Sequence, residues 1–139
     1  MQKLGDEVTL LLIEDDDIDV MTVERSFKKN RIANPIVRAH DGRDALEILQ
    51  KKQINSPYVI LLDLQMPRMN GIEFLEALRA DKELAQSVVF ILTTSKAEED
   101  MIAGYEKNIA GYFLKDDSGD NFIDLINVLD SYWKVVHFP

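Results

Sequence analysis

Five carboxylates, Glu14, Asp15, Asp16, Asp17 and Asp19, fall within six positions at the end of the stretch LLIEDDDID (Leu11 to Asp19). Side by side at the end of a buried strand they repel one another, and water, helix N-termini or a bound cation must compensate them. Asp63 closes the apolar run YVILL, Thr93 closes VVFILT, and Lys115 follows GYFL. Gathered at one edge, these groups offer two or three carboxylates to a hard divalent cation, with a hydroxyl and an ammonium beside it. Mg²⁺ is commonly held by one or two carboxylates with waters and phosphate oxygens, and it would neutralise Glu14 and Asp15. A carboxylate beside such a metal can attack a phosphoryl group to give an aspartyl phosphate, with Thr93 and Lys115 stabilising the added oxygens.

Such a site needs elements that bring the run ends together. Five short apolar runs recur: Val8 to Ile13, Pro35 to Ala39, Tyr58 to Leu62, Val88 to Thr93 and Gly111 to Leu114. Several are apolar on both faces, as in parallel strands covered by helices above and below. Between them lie segments of helical period. Val20, Val23 and Phe27 share one face of the first, Leu46 and Leu49 of the second, Leu75 and Leu78 of the third, and Met101, Ile102 and Tyr105 of the fourth. Phe122, Ile126, Leu129 and Trp133 recur at i, i+4, i+7 and i+11 in the last. The expected fold is an α/β (βα)₅ doubly wound parallel sheet with right-handed crossovers. The flavodoxin-like order 2-1-3-4-5 is carried over from that fold type. In it, strands one and three adjoin at the switch point beyond which ligands bind, so Asp15 and Asp63 are expected to meet.

A chain of 139 residues suits one domain, 1–139, with a core of about 8–133 and a short apolar tail at 134–139. Its net charge is −9, from 16 basic and 25 acidic residues, so phosphate backbones and anionic membrane surfaces are repelled. Neither nucleic acid nor membrane is an expected partner. The absence of cysteine excludes disulfides, thiolate metal sites and a cysteine nucleophile. The first apolar run is too short for a signal-peptide core or a membrane span, and a cytoplasmic setting is expected.

LLIEDDD, VILLDLQMPRMNG, FILTTS and GYFLK, in that order and at these distances, resemble the receiver domain of two-component response regulators. The resemblance covers roughly Val8 to Trp133 and is similar in feel to stand-alone receivers that serve bacterial phytochrome kinases. It implies that Asp63 is the phosphoacceptor, supplied by a phosphohistidine on a sensor histidine kinase or phosphotransfer protein. It implies that Asp15 and Asp63 bind Mg²⁺ directly with the backbone carbonyl of Gln65, and that Glu14 acts through a coordinated water. Thr93 takes up a phosphoryl oxygen, Lys115 pairs with it, and Tyr112 is the aromatic that turns inward on activation. The face formed by the fourth helical segment, the fifth strand and the last helix is then remodelled. The implied protein is a phosphorelay switch with self-phosphorylation and self-dephosphorylation activity, not a turnover enzyme.

Three positions depart from, or vary within, the family pattern. Asp116 follows Lys115 where the family usually has a cis-linked Pro; a cis non-Pro bond costs roughly 3 kcal/mol, so cis and trans both stay open. Thr94 stands where many members have Ala or Gly, which predicts a longer-lived phosphorylated form. Glu at 14 is within the family's range.

Blander readings compete residue by residue. Asp16, Asp17 and Asp19 read best as a solvated, capped helix start. Tyr112 has a plain core reading as well, and His40 and His137 read as surface or packing residues, so the phosphodonor is external. The tail KVVHFP either packs on its own domain or covers a partner surface; the second option leads to a homodimer through the last helix and the tail. Two other classes on similar chemistry fit less well. An aspartate-nucleophile phosphatase wants D-x-D-x-[TV] after the first strand, whereas Asp63-Leu64-Gln65 follows the third. A flavin protein wants a phosphate-cradling loop where this chain has acids. A phosphorylation-independent module with a vestigial pocket is disfavoured by the complete set of five site positions.

Overall fold

The computed structural model describes residues 8–64, 66, 68–93, 105–114 and 120–135, with backbone alone at Thr93, Leu114 and 120–124. Within them the order is β1 (Thr9–Ile13), α1 (Asp17–Lys29), β2 (Ile36–Ala39), α2 (Gly42–Gln50), β3 (Tyr58–Leu62), α3 (Gly71–Ala80), β4 (Val88–Thr93), β5 (Gly111–Leu114) and α4 (Asp120–Val135). All neighbouring strands pair in parallel, in the order β2-β1-β3-β4-β5. The expected doubly wound sheet and its switch point between β1 and β3 are therefore both present.

The two-residue period of the strands sorts the core into two layers. Leu11, Ile13, Ile60, Leu62, Val89 and Ile91 face α2 and α3, where they meet Ala45, Ile48, Leu49, Phe74, Leu75 and Leu78. Leu10, Leu12, Val59, Leu61, Phe90 and Leu92 face α1 and α4, against Val20, Val23, Phe27, Leu125, Ile126, Leu129 and Trp133. Burying one such aliphatic side chain contributes about 1.5–3 kcal/mol, which is why the inner strands read as unbroken apolar runs. Trp133 is fully buried, edge-on to Phe27 with ring centroids 5.8 Å apart, and its indole N–H donates to Asp130 Oδ1 at 3.2 Å.

Helix α2 turns a slightly different face inward from the one its sequence suggested: Ala45, Ile48 and Leu49 are buried, while Leu46 is only half-buried at the margin. Tyr105, grouped with Met101 and Ile102 as one helical face, is 55% exposed. Met101 and Ile102 lie outside the described residues, as do Lys115, Asp116, Gln65, Thr94, His137 and the tail from 136 onward. No helix among the described residues is long and apolar enough to cross a membrane.

At the amino-terminal edge of the sheet, away from the acidic run, Arg79 staples three segments. Its guanidinium donates to the carbonyls of Ala85 (2.6 Å), Lys107 (2.7 Å), Ser87 (2.8 Å) and Asn108 (3.1 Å). Burial lowers its pKa from the ordinary arginine value. The opposite edge is left for chemistry.

Candidate metal centre

The ladder of β1 continues one residue past the strand, because the Glu14 N–H donates to the Ala39 carbonyl at 3.0 Å. The Asp63 N–H donates to the Ile13 carbonyl at 3.0 Å in the same way. Two acidic residues are thereby fixed side by side at the switch point, and each is nearly buried: Glu14 is 2% exposed and Asp63 6%. Asp15 is exposed beside them. One carboxylate oxygen from each of Glu14, Asp15 and Asp63 lies within 4.8 Å of the other two. Three anionic oxygens at that spacing are an all-oxygen donor set for a hard divalent cation. The expected meeting of Asp15 and Asp63 is realised.

The remaining acids of the run do what a helix start requires. Asp16 caps α1, its Oδ1 accepting from the Ile18 N–H at 2.8 Å, and Asp17 and Asp19 sit in the first turn. A second tether was not anticipated from the sequence. Arg38 on the edge strand β2 donates through Nε to the Glu14 carbonyl at 2.9 Å and pairs through Nη1 with Asp17 at 2.8 Å. Its signal was present as the single charge inside the run PIVRA.

The loop after Asp63 returns on itself tightly. The Gly71 N–H donates to the Leu64 carbonyl at 2.9 Å, and a Cβ at Gly71 would stand 2.6 Å from Leu64 Cα and 2.7 Å from the Asp63 carbonyl oxygen. Only glycine allows this close backbone approach. Asn70 then starts α3 with a capping box: its Oδ1 accepts from the Glu73 N–H at 2.9 Å, and Glu73 Oε1 accepts from the Asn70 N–H at 3.1 Å.

Asp41 was also missed by sequence reasoning, although an Asp-Gly pair before a helical segment is a legible N-cap signal. It is 3% exposed and caps α2, with Oδ1 accepting from the Asp44 N–H at 2.9 Å. Burial pushes its carboxyl up, but the Asp44 N–H, the Arg68 guanidinium and the Arg43 N–H together outweigh burial and hold it below the usual carboxylate value.

Thr93 ends β4 in register with Leu114, the last residue of β5. Lys115 and Gln65 themselves lie outside the described residues, and at Thr93 the backbone alone is described. Tyr112, in register with Ile91 on β5, is half-buried and packs against the layer that holds α2 and α3. His40 is exposed, as expected for a surface residue.

A family model described as the response regulator receiver domain matches residues 10–127 of this chain. The response regulator Rcp1 of Synechocystis sp. is 32% identical over 128 residues, covering 89% of this chain and 87% of Rcp1. The crystal structure of the Mn(2+)-bound form of Rcp1 matches with a TM-score of 0.81 at 32% identity, covering 94% of this chain and 98% of that one. The phosphorylated cyanobacterial phytochrome response regulator RcpA, 23% identical, shares the fold with a TM-score of 0.86 over 96% of this chain and 99% of its own.

Proposed function

The chain belongs to the response regulator receiver domain family, and we propose that it works as a stand-alone receiver, a single domain that accepts a phosphoryl group on Asp63 and changes which protein it binds. The observation that carries this reading is the convergence of Glu14, Asp15 and Asp63 at the β1–β3 switch point, with oxygens within 4.8 Å of one another.

The donor is a phosphohistidine on a sensor histidine kinase or a phosphotransfer protein, in a cytoplasmic phosphorelay. An Asp63 oxygen attacks phosphorus, the N–P bond breaks, and its electron pair leaves with the imidazole, which is then protonated. Asp15, Asp63 and the backbone carbonyl of Gln65 would hold Mg²⁺ directly and Glu14 would hold it through a water. Mg²⁺, when bound, neutralises the carboxylates and the phosphoryl oxygens. The near-complete burial of Asp63 limits the water that reaches the acyl phosphate, whose hydrolysis returns the carboxylate and inorganic phosphate. The Thr93 hydroxyl takes up one phosphoryl oxygen and Lys115 pairs with another. Tyr112, already half-buried beside Ile91, moves further in as Thr93 is drawn toward the phosphoryl group, and this changes the surface around β5 and α4. That surface, with the tail beyond Val135, supports a homodimer.

Acetyl phosphate with and without Mg²⁺, followed by intact mass, tests the reading. Wild type is expected to gain one phosphoryl group only with Mg²⁺, and Asp63→Asn none. A Mg²⁺-independent adduct, or one that survives in Asp63→Asn, refutes it. Light scattering of the protein with and without beryllofluoride tests the dimer, and a monomer in both samples at high concentration counts against it.

A further inference from the structure

Arg68 stands in the turn between β3 and α3, five residues beyond Asp63, with a φ of 63°. That is the left-handed region, which residues with a Cβ seldom adopt and which glycine or asparagine would fill without strain. Such a conformation persists where the surroundings over-determine it. Here the surroundings are visible. Both Nε, at 2.6 Å, and Nη2 of Arg68 converge on Oδ2 of the buried Asp41, across to the N-terminus of α2. A second link lies alongside: the Gly42 N–H donates to the Met69 carbonyl at 3.2 Å, and a Cβ at Gly42 would meet Met69 Cγ at 2.8 Å. The turn is thus fastened to α2 at residues 68 and 69 and closed at its base by the Gly71–Leu64 hydrogen bond.

We propose that Arg68 is a positioning residue for the metal centre: by gripping Asp41 it holds the turn that follows Asp63 in one conformation and so presets the site for a divalent cation. The inference rests on the reading of Asp63 as a metal ligand and phosphoacceptor. A purely structural role is the competing account, since Arg68 also satisfies a buried carboxylate. The two differ in what a glycine does. Arg68→Gly keeps the left-handed backbone at no steric cost while removing the clasp, so any loss at the site is not a loss of the turn itself. Partners that orient metal ligands from outside the coordination sphere typically alter metal affinity by 10–100-fold, and a clasp five residues away belongs at the lower end, about tenfold.

The test uses the full chain, with Mn²⁺ binding followed by electron paramagnetic resonance and the Mg²⁺ dependence of phosphorylation by acetyl phosphate. Arg68→Gly and Arg68→Ala are expected to raise the Mn²⁺ Kd and the Mg²⁺ midpoint about tenfold, with the rate at saturating Mg²⁺ within about twofold of wild type. Arg68→Lys, which retains one charged donor for Asp41, is expected to recover most of the affinity. An unchanged Mn²⁺ Kd in Arg68→Gly overturns the proposal, as does a fall in saturated rate that tracks a fall in Tm with no shift in midpoint. Wild type that binds no Mn²⁺ and accepts no phosphoryl group removes the underlying reading, and the positioning role falls with it.

Discussion

Replacing Asp63 with Asn should make the metal-free protein more stable while abolishing phosphoryl acceptance. Glu14 and Asp63 are 2% and 6% exposed, and their oxygens lie within 4.8 Å of each other and of Asp15. At 4.8 Å, two unit charges repel by about 3.5 kcal/mol at an effective dielectric of about 20 and by about 0.9 kcal/mol at about 80. The buried Glu14–Asp63 pair belongs near the first value and the pair with exposed Asp15 near the second. Asn keeps the shape of Asp63 and removes both repulsions. Side-chain relaxation, counter-ions and the interactions that Glu14 and Asp63 already make in the fold reduce the total, so a gain of up to about 2 kcal/mol is expected, or up to about 6 °C in Tm for a chain of this size. The assay is thermal or urea unfolding of both proteins in a chelator and again in saturating Mg²⁺. In chelator the variant should lead; in Mg²⁺ wild type gains by mass action and the gap closes. Equal or lower stability of Asp63→Asn in chelator would mean that the local structure already compensates the three charges, and the electrostatic case for a cation would be refuted.

Gly71→Ala places a Cβ 2.6–2.7 Å from the Leu64 backbone and the Asp63 carbonyl; a cost of about 1–3 kcal/mol in urea unfolding and slower phosphorylation are expected, because the shift displaces Asp63 itself. Asp41, held below the unfolded carboxylate value of about 3.9, contributes stability that is present above that pH and is lost as pH falls through the folded value. As pH falls from about 5 toward about 3, wild type should therefore lose more stability than Asp41→Asn, and parallel acid unfolding curves would contradict this. Thr94→Ala is expected to shorten the lifetime of the phosphorylated form, read by phosphate release; hydrolysis no faster than in wild type would remove Thr94 as the shield.

The layered sheet was legible because its inner strands are buried on both faces and therefore read as apolar runs, whose ends bear Asp15, Asp63, Thr93 and Lys115. The inward faces of α1, α3 and α4 followed from spacing, since Val20, Val23, Phe27, Leu75, Leu78, Ile126, Leu129 and Trp133 are all buried. Helix α2 was less legible: in a nine-residue helix that starts at a cap packed against a neighbouring loop, the cap sets the rotation, so Ala45 and Ile48 turn inward and Leu46 lies at the margin.

By itself the sequence determined the kind of chemistry and the edge at which it occurs, because acid type, strand ends and turn glycines are local properties of the chain. Strand neighbours are not local: that Glu14, Asp15 and Asp63 share a site depends on β1 lying between β2 and β3. The grips of Arg38 on Glu14 and Asp17, and of Arg68 on Asp41, are likewise decided by the tertiary structure. Long flexible cations reach across loops to whichever carbonyl or carboxylate packing brings near, and no period or motif in the chain encodes that partner.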